Sequence, residues 1–345
     1  MINSITIPRA DDWHIHFRHG VMLKTVVPYT ASVYKRAIVM PNLVPPVVNT
    51  DMAMDYKKRI VSASAGTDFE PLMVMYLTDE TSETTVLSAH DAGVVAFKLY
   101  PAGATTNSDS GVTDIKKVTK ALDKMQELGM VLCVHGEITR PEVDIFDREK
   151  FFIDEVLSWT RKQFPNLKIV MEHITTSEGA DYVLETENMG ATITIQHLMI
   201  NRNHMLVGGI RPHYYCLPVP KRNIHQQRLR EVATSGSEKF FLGTDSAPHL
   251  KGAKQSACGC AGVFNTIGSL EMYTQVFDEE GRLENLEAFA SINGPNFYGL
   301  PVNSDIITLV RVEPYSSPEE IWLNDGSATI IPFNPPGNIS WKIRK

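Results

Sequence analysis

The chain reads as an α/β protein, a (β/α)8 barrel with a C-terminal extension, and three observations carry that expectation. Eight short apolar runs recur through the first 250 of 345 residues, separated by longer amphipathic or polar stretches. The runs are near-continuous in Val, Ile, Leu and Met, as strands covered on both faces are, and do not alternate with polar residues. Eight such runs over about 240 residues match the count and size of a closed barrel, with a doubly wound open sheet as the competing arrangement.

The first four expected strands lie at 11–17 (DDWHIHF), 36–42 (RAIVMPN), 70–78 (EPLMVMYLT) and 94–101 (VVAFKLYP). The other four follow at 130–137 (MVLCVHGE), 167–174 (LKIVMEHI), 191–198 (ATITIQHL) and 240–247 (FFLGTDSA). Helices are expected between them over 51–65, 80–91, 114–128, 148–164 and 177–188. The fourth carries Phe151, Phe152, Val156, Leu157 and Phe164, a rough stripe that suits one buried face. The stretch 199–239 is too long for a simple connection and should hold loops plus a short helix. Beyond the barrel, 262–278 and 283–291 look helical, and 303–342 reads as irregular β with prolines, packed against the barrel. No internal repeat and no Pro/Gly/Ser linker marks a second unit. Residues 1–345 are therefore read as one domain, with 303–345 as its tail.

Composition narrows the function. Apolar residues make up 43% and charged residues 21%, which excludes a disordered chain. With 33 Lys and Arg against 40 Asp and Glu the net charge is −7, which argues against nucleic acid or an anionic membrane as partner. Four cysteines (Cys133, Cys216, Cys258, Cys260) are no disulfide framework in so long a chain, so a reducing cytoplasm is expected. No run approaches the roughly 18 apolar residues of a membrane span. Charges at Arg9, Asp11 and Asp12 also break up any secretory segment at the start.

The chemistry collects where the apolar runs end. The first ends in His14-Ile15-His16, and residues i and i+2 of a strand face one side. The fourth ends near Lys98, the fifth at His135, the sixth at His173 and the eighth at Asp245. In a barrel these positions share the face on which active sites are built. Any one of them has an ordinary reading: a chance His-x-His, a hydrogen-bonded histidine, a lysine snorkelling into water, an aspartate capping a turn. Their coincidence gives them weight, because Lys98, His135 and His173 are spaced by 37 and 38 residues, one β–α unit each. Four imidazoles, a carboxylate and an amine converging at one face make a metal-ligand set. An ammonium beside divalent cations is repelled, so Lys98 must be neutral or altered. A neutral amine that adds carbon dioxide becomes a carbamate, an anionic ligand long enough to bridge two metals.

This pattern resembles the amidohydrolase superfamily. DDWHIHFRHG, MPNLVPPV, FKLYPAGATTNS and GTDSAPH with CGCAG behind it resemble the short, bacterial-type (class II) dihydroorotases over nearly the whole chain. The resemblance implies reversible interconversion of N-carbamoyl-L-aspartate and L-dihydroorotate, the third step of pyrimidine synthesis. It also implies two zinc ions per chain: His14, His16 and Asp245 at the more buried one, His135 and His173 at the other, and carboxylated Lys98 across both. A hydroxide between the metals would attack the ring amide, with Asp245 as general acid and base. Arg18, Asn42 and His249 would hold the substrate carboxylate, Leu217 and Ala261 would offer backbone groups, and His16 and His135 would border the substrate. The small, polar segment Ala102–Thr113 should be mobile, and the resemblance implies a lid in which Thr105 and Thr106 reach the carboxylate. A homodimer is likewise expected by resemblance.

Two further enzyme and non-enzyme readings are weighed against this one. A dihydropyrimidinase, hydantoinase or allantoinase usually carries a β-sandwich segment before strand one, for which about a dozen residues leave no room, and Arg18 favours an anionic substrate. A non-catalytic scaffold on the same barrel should lack one or more ligands, and all six are present. Cys258-Gly-Cys260 has the wrong spacing for a zinc knuckle and reads as small residues packing under the site, while His197 reads as structural.

Overall fold

The structure is a computed structural model and describes residues 2–344. The eight apolar runs form eight parallel strands: β2 (Asp12–Ile15), β3 (Arg36–Val39), β4 (Glu70–Leu77), β5 (Ala96–Leu99), β6 (Val131–His135), β7 (Lys168–Glu172), β8 (Met189–Ile193) and β9 (Phe240–Leu242). Each pairs with the next in sequence order. The ring closes just beyond β9, where the Asp245 amide donates to the His14 carbonyl (2.8 Å) and the His16 amide to that of Ser246 (3.0 Å). That closure settles the choice between barrel and open sheet.

Strand alternation divides the apolar residues into two cores. Ile38, Val74, Ala96, Val131, Cys133, Val170 and Phe241 fill the barrel from within, with Trp13 stacked on Tyr298 (centroids 4.6 Å apart) as a plug. Ala37, Val39, Phe97, Leu99, Leu132, Ile169 and Met171 face outward onto the helices. The register of β2 shifts between Asp12 and Ile15, so Trp13 joins the inner core although Asp12 and His14 flank it. Trp13 fits there because Gly294 lacks a side chain, since a Cβ would lie 2.0 Å from the Trp13 Nε1.

Helices α1 (Gly20–Val33), α2 (Thr50–Ala63), α3 (Glu83–Asp91) and α4 (Thr119–Leu128) connect the early strands. Side chains of Asn49 and Ser82 cap α2 and α3 by accepting from Met52 and Thr85 amides, and Gly129 ends α4 at φ 69°. α1 was not among the expected helices, because Pro28 lies inside it and its Thr and Val residues mimic a strand. The expected 148–164 helix is α5 (Arg148–Phe152) and α6 (Ser158–Gln163), joined by a π-helical stretch at Ile153–Leu157. α7 (Ser177–Glu185) follows β7.

The seventh run is strand only to Ile193, after which α8 (Ile195–Met199) takes over, so His197 is helical. The following excursion holds α9 (Arg202–Leu206) and the 12-residue α10 (Asn223–Thr234), more helix than the one short element expected. After α11 (Lys251–Lys254), α12 begins only at Ser269 (Ser269–Glu279), and α13 (Asn293–Tyr298) extends the helical turns beyond 291.

The tail is more regular than expected. β10 (Ile306–Tyr315) pairs antiparallel with both β13 (Ile339–Ile343) and an N-terminal strand, β1 (Ser4–Pro8), which had not been expected. A short ribbon, β11 (Ile321–Trp322) with β12 (Thr329–Ile330), completes it. Trp341 of β13 is fully buried and donates its Nε1–H to Asp278 of α12 (3.2 Å), which fastens the small sheet to the barrel.

Candidate metal centre and active site

The strand ends bring the expected residues to one cavity. Its walls include His14, His16, Arg18, Asn42, Thr105, Thr106, His135, His173, Leu217, Asp245 and Ala261, together with Tyr100. Lys98 lies in the interior below them, and His249 stands behind Arg18, its Nε2 accepting from Arg18 Nη2 at 3.1 Å. Arg18, His173 and Asp245 hold left-handed backbone (φ 66°, 40° and 47°), which turns each side chain at the end of its strand.

Hydrogen bonds on the far sides of the imidazoles decide what faces inward. His14 donates from Nδ1 to Glu172 Oε2 (2.8 Å) and His16 donates from Nδ1 to Asn42 Oδ1 (2.8 Å). Both Nε2 atoms therefore present lone pairs. They lie 3.4 Å apart and 3.4 and 3.1 Å from Asp245 Oδ1. Burial, with the nearby Lys98 charge, pushes His14 and His173 well below the usual imidazole range, and burial also lowers His16, so these rings are neutral. Burial disfavours charge on Asp245, yet its contacts with His16, His14 and Lys98 hold its carboxyl below the usual range. With their Nδ1–H groups engaged on the far sides, the two imidazoles turn Nε2 toward the Asp245 carboxylate, a cluster of donor atoms that a cation at its centre would suit. Ligand atoms of His14, His173 and Asp245 lie within 4.8 Å of one another, a spacing a single ion can draw together.

The second half of the set is built alike. His135 donates from Nε2 to Glu137 Oε2 (2.8 Å), leaving Nδ1 as a lone pair, and its ring lies 4.8 Å from that of His173. Nδ1 of His173 is buried without a hydrogen-bond partner. Nζ of Lys98 is also buried and partnerless, 5.2 Å from the Tyr100 ring centroid. Burial lowers the Lys98 pKa against the pull of Glu172, Cys133 and Asp245. Desolvation of this kind loosens the amine's hold on its proton and so favours the neutral form that carbamate formation requires. The donor set therefore fits divalent metal ions.

Asn42 does more than a turn residue, since its Oδ1 orients His16 while its Nδ2 donates to the Thr106 carbonyl (3.0 Å). Thr106 also donates from Oγ1 to the Ala261 carbonyl (3.4 Å). The 102–113 segment is thus folded over the site and leaves about 20 Å3 of free space, room for about one water. His197 is satisfied on both sides, Nδ1 accepting from Thr194 Oγ1 (2.7 Å) and Nε2 donating to the Pro218 carbonyl (3.0 Å), in keeping with a structural role. Cys258 is exposed and Cys260 half-exposed, so the pair lies at the rim and does not pack under the site as expected.

Three residues escaped the sequence reading. Glu172 and Glu137 fix the tautomers of His14 and His135, and buried Asp12 accepts from the Thr244 amide (2.9 Å) and Oγ1 (2.6 Å), holding β2 to the end of β9. Spacing could have pointed to two of them. Asp12 precedes His14 by two residues within β2, and Glu137 follows His135 by two, just past the end of β6.

Comparison with known proteins agrees with this geometry. Residues 7–307 match the amidohydrolase family. A curated dihydroorotase from Marinobacter nauticus is 55% identical over 345 residues, covering 99% of this chain and all of the relative. The crystal structure of dihydroorotase from Campylobacter jejuni superposes with a TM-score of 0.91 at 35% identity, covering 99% of this chain and 98% of that one. Dihydroorotase from Saccharomyces cerevisiae, solved with 5-fluoroorotic acid, gives 0.90 at 30% identity with 99% of both chains covered. With a barrel, a ligand set and full-length relatives in agreement, the chain belongs to the amidohydrolase family and, within it, to the dihydroorotases.

Proposed function

We propose that this chain interconverts N-carbamoyl-L-aspartate and L-dihydroorotate, the third step of pyrimidine synthesis, as a cytoplasmic homodimer with two zinc ions per chain. The observation that carries the reading is the inward-facing set of unprotonated imidazole nitrogens around Asp245, with a buried, partnerless Lys98 amine beneath it. In this assignment His14, His16 and Asp245 would hold one ion and His135 and His173 the other, with a carboxylated Lys98 as the ligand they would share. Bound divalent ions supply Lewis acidity, polarising an amide carbonyl and lowering the pKa of water towards neutrality.

The protein's own groups do the rest. Asp245 is ionised at neutral pH, because its neighbours keep its carboxyl below the usual range. Its carboxylate takes the proton of the attacking water and delivers it to the departing ring nitrogen, and in the biosynthetic direction it first removes the carbamoyl N–H proton. Arg18 carries the positive charge that an anionic substrate needs. Its Nε donates to the Pro248 carbonyl (3.2 Å) and its Nη2 to His249, which aims the remaining N–H groups at the substrate carboxylate. Asn42 and His249 add to that grip, while Leu217 and Ala261 meet the ring amide edges through backbone groups. Thr105 and Thr106 close the site against water, and the small space beneath them means that this segment swings out to admit substrate.

The test is hydrolysis of L-dihydroorotate beside dihydrouracil by the zinc-loaded protein, with metal analysis and solution mass in parallel. Preference for dihydroorotate, about two ions per chain and a dimer are expected. Faster turnover of dihydrouracil would overturn the substrate assignment.

A further inference from the structure

Part of the cavity wall, Leu217, Ala261 and Gly262, belongs to two segments that lie outside every strand and helix. Elements of this kind have no ladder to hold them, so something else must. At the end of α11, Lys254 is only 3% exposed. Its ammonium donates to the carbonyls of Tyr215 (2.8 Å), Cys260 (2.9 Å) and Gly262 (2.6 Å). All three of its protons are thereby used, and both segments are tied to one charged centre. The Tyr215 carbonyl has a second donor, the Gly262 amide at 3.0 Å. Among the described residues, the Cys260 and Gly262 carbonyls have no other side-chain donor.

Those two carbonyls flank Ala261, whose own carbonyl receives Thr106 of the lid. Gly262 is pressed against the group that steadies Arg18. With φ at 142°, a Cβ there would come 2.7 Å from the Ala247 carbonyl and 2.9 Å from the His249 ring. The loop that Lys254 holds therefore abuts the lid on one side and the His249–Arg18 pair on the other. Among the described residues, no hydrogen bond joins that loop to His14, His16, Lys98, His135, His173 or Asp245.

We propose that Lys254 is a positioning residue for substrate binding: its ammonium clamps the Tyr215 and Cys260–Gly262 segments so that Leu217, Ala261, His249 and the closed lid stand where the substrate needs them. The proposal rests on the dihydroorotase reading above. It assigns Lys254 no contact with substrate or metal. Without the ammonium, the buried Gly262 carbonyl and the half-buried Cys260 carbonyl lose their side-chain donor and the segment rearranges to satisfy them. Binding groups then shift while the metal centre on the strand ends stays intact.

The experiment uses the zinc-loaded enzyme with Lys254→Met and, as a second variant that retains a donor, Lys254→Gln. KM and kcat for dihydroorotate, zinc per chain, and amide hydrogen exchange are measured for each. The expected result is a KM raised about tenfold or more with kcat within about threefold of the parent. Zinc content is unchanged, and faster exchange is confined to 213–218 and 256–263. Lys254→Gln should fall between parent and Lys254→Met. An unchanged KM in folded variants overturns the proposal, as do a loss of zinc, exchange that rises throughout the barrel, or two variants that fail to fold. An inactive parent enzyme instead overturns the dihydroorotase reading, so the two failures are distinguishable.

Discussion

Replacing Lys98 by Met should stabilise the metal-stripped protein while abolishing its activity. The Lys98 amine is fully buried and has no hydrogen-bond partner. A buried, unsatisfied polar group costs about 1–3 kcal/mol, and Met fills nearly the same volume with apolar atoms. Allowing for the weak contact of the amine with the Tyr100 ring at 5.2 Å, the net gain is about 1–2 kcal/mol. In a chain of 345 residues that raises the melting temperature by roughly 1–3 °C. With zinc bound the sign should reverse, because the parent gains stability from ions that Lys98→Met holds poorly. The assay is thermal unfolding of both proteins after chelation and again with excess zinc, with dihydroorotate turnover alongside. A metal-stripped Lys98→Met protein less stable than the parent would refute the premise that the amine is strained by burial. Retained turnover or full zinc occupancy would refute its role as a ligand.

Glu172→Gln should loosen the orientation and tautomer of His14, lowering zinc affinity by about 10–100-fold in a chelator competition while the fold is kept. Thr105→Ala combined with Thr106→Ala should lower turnover far more than it weakens metal binding, and unchanged kinetics would remove the lid role. His197 gives a pH signature: burial pushes its pKa down to about 4 from 6.5, so the folded protein keeps the ring neutral where the unfolded chain protonates it. Its contribution is present in full above pH 6.5 and is lost as pH falls towards 4, by about 3 kcal/mol in total. Urea titrations at pH 7 and pH 4.5 should show His197→Asn losing less stability than the parent over that interval, and equal losses would mean that His197 is not held neutral.

Much of the site was legible because it depends on short-range geometry. The two-residue period of a strand puts His14 and His16 on one side, and the near-equal spacing of Lys98, His135 and His173 places each at the end of its own β–α unit. The helix 20–33 was hidden because Pro28 and the Thr and Val residues around it carry a local preference that packing on the barrel overrides. No local pattern could announce that Ser4–Pro8 would pair with Ile306–Tyr315, some 300 residues away.

What the sequence determined alone was the number of barrel strands and which residues stand at their ends, because periodicity and strand ends are properties of neighbouring residues. The tertiary structure decided which acceptor fixes each imidazole, how Asn42 joins His16 to the lid, and how Lys254 gathers carbonyls from two segments. Those choices are made between residues far apart in the chain. A hydrogen bond there depends on distances of a few tenths of an ångström, which only the packed barrel sets.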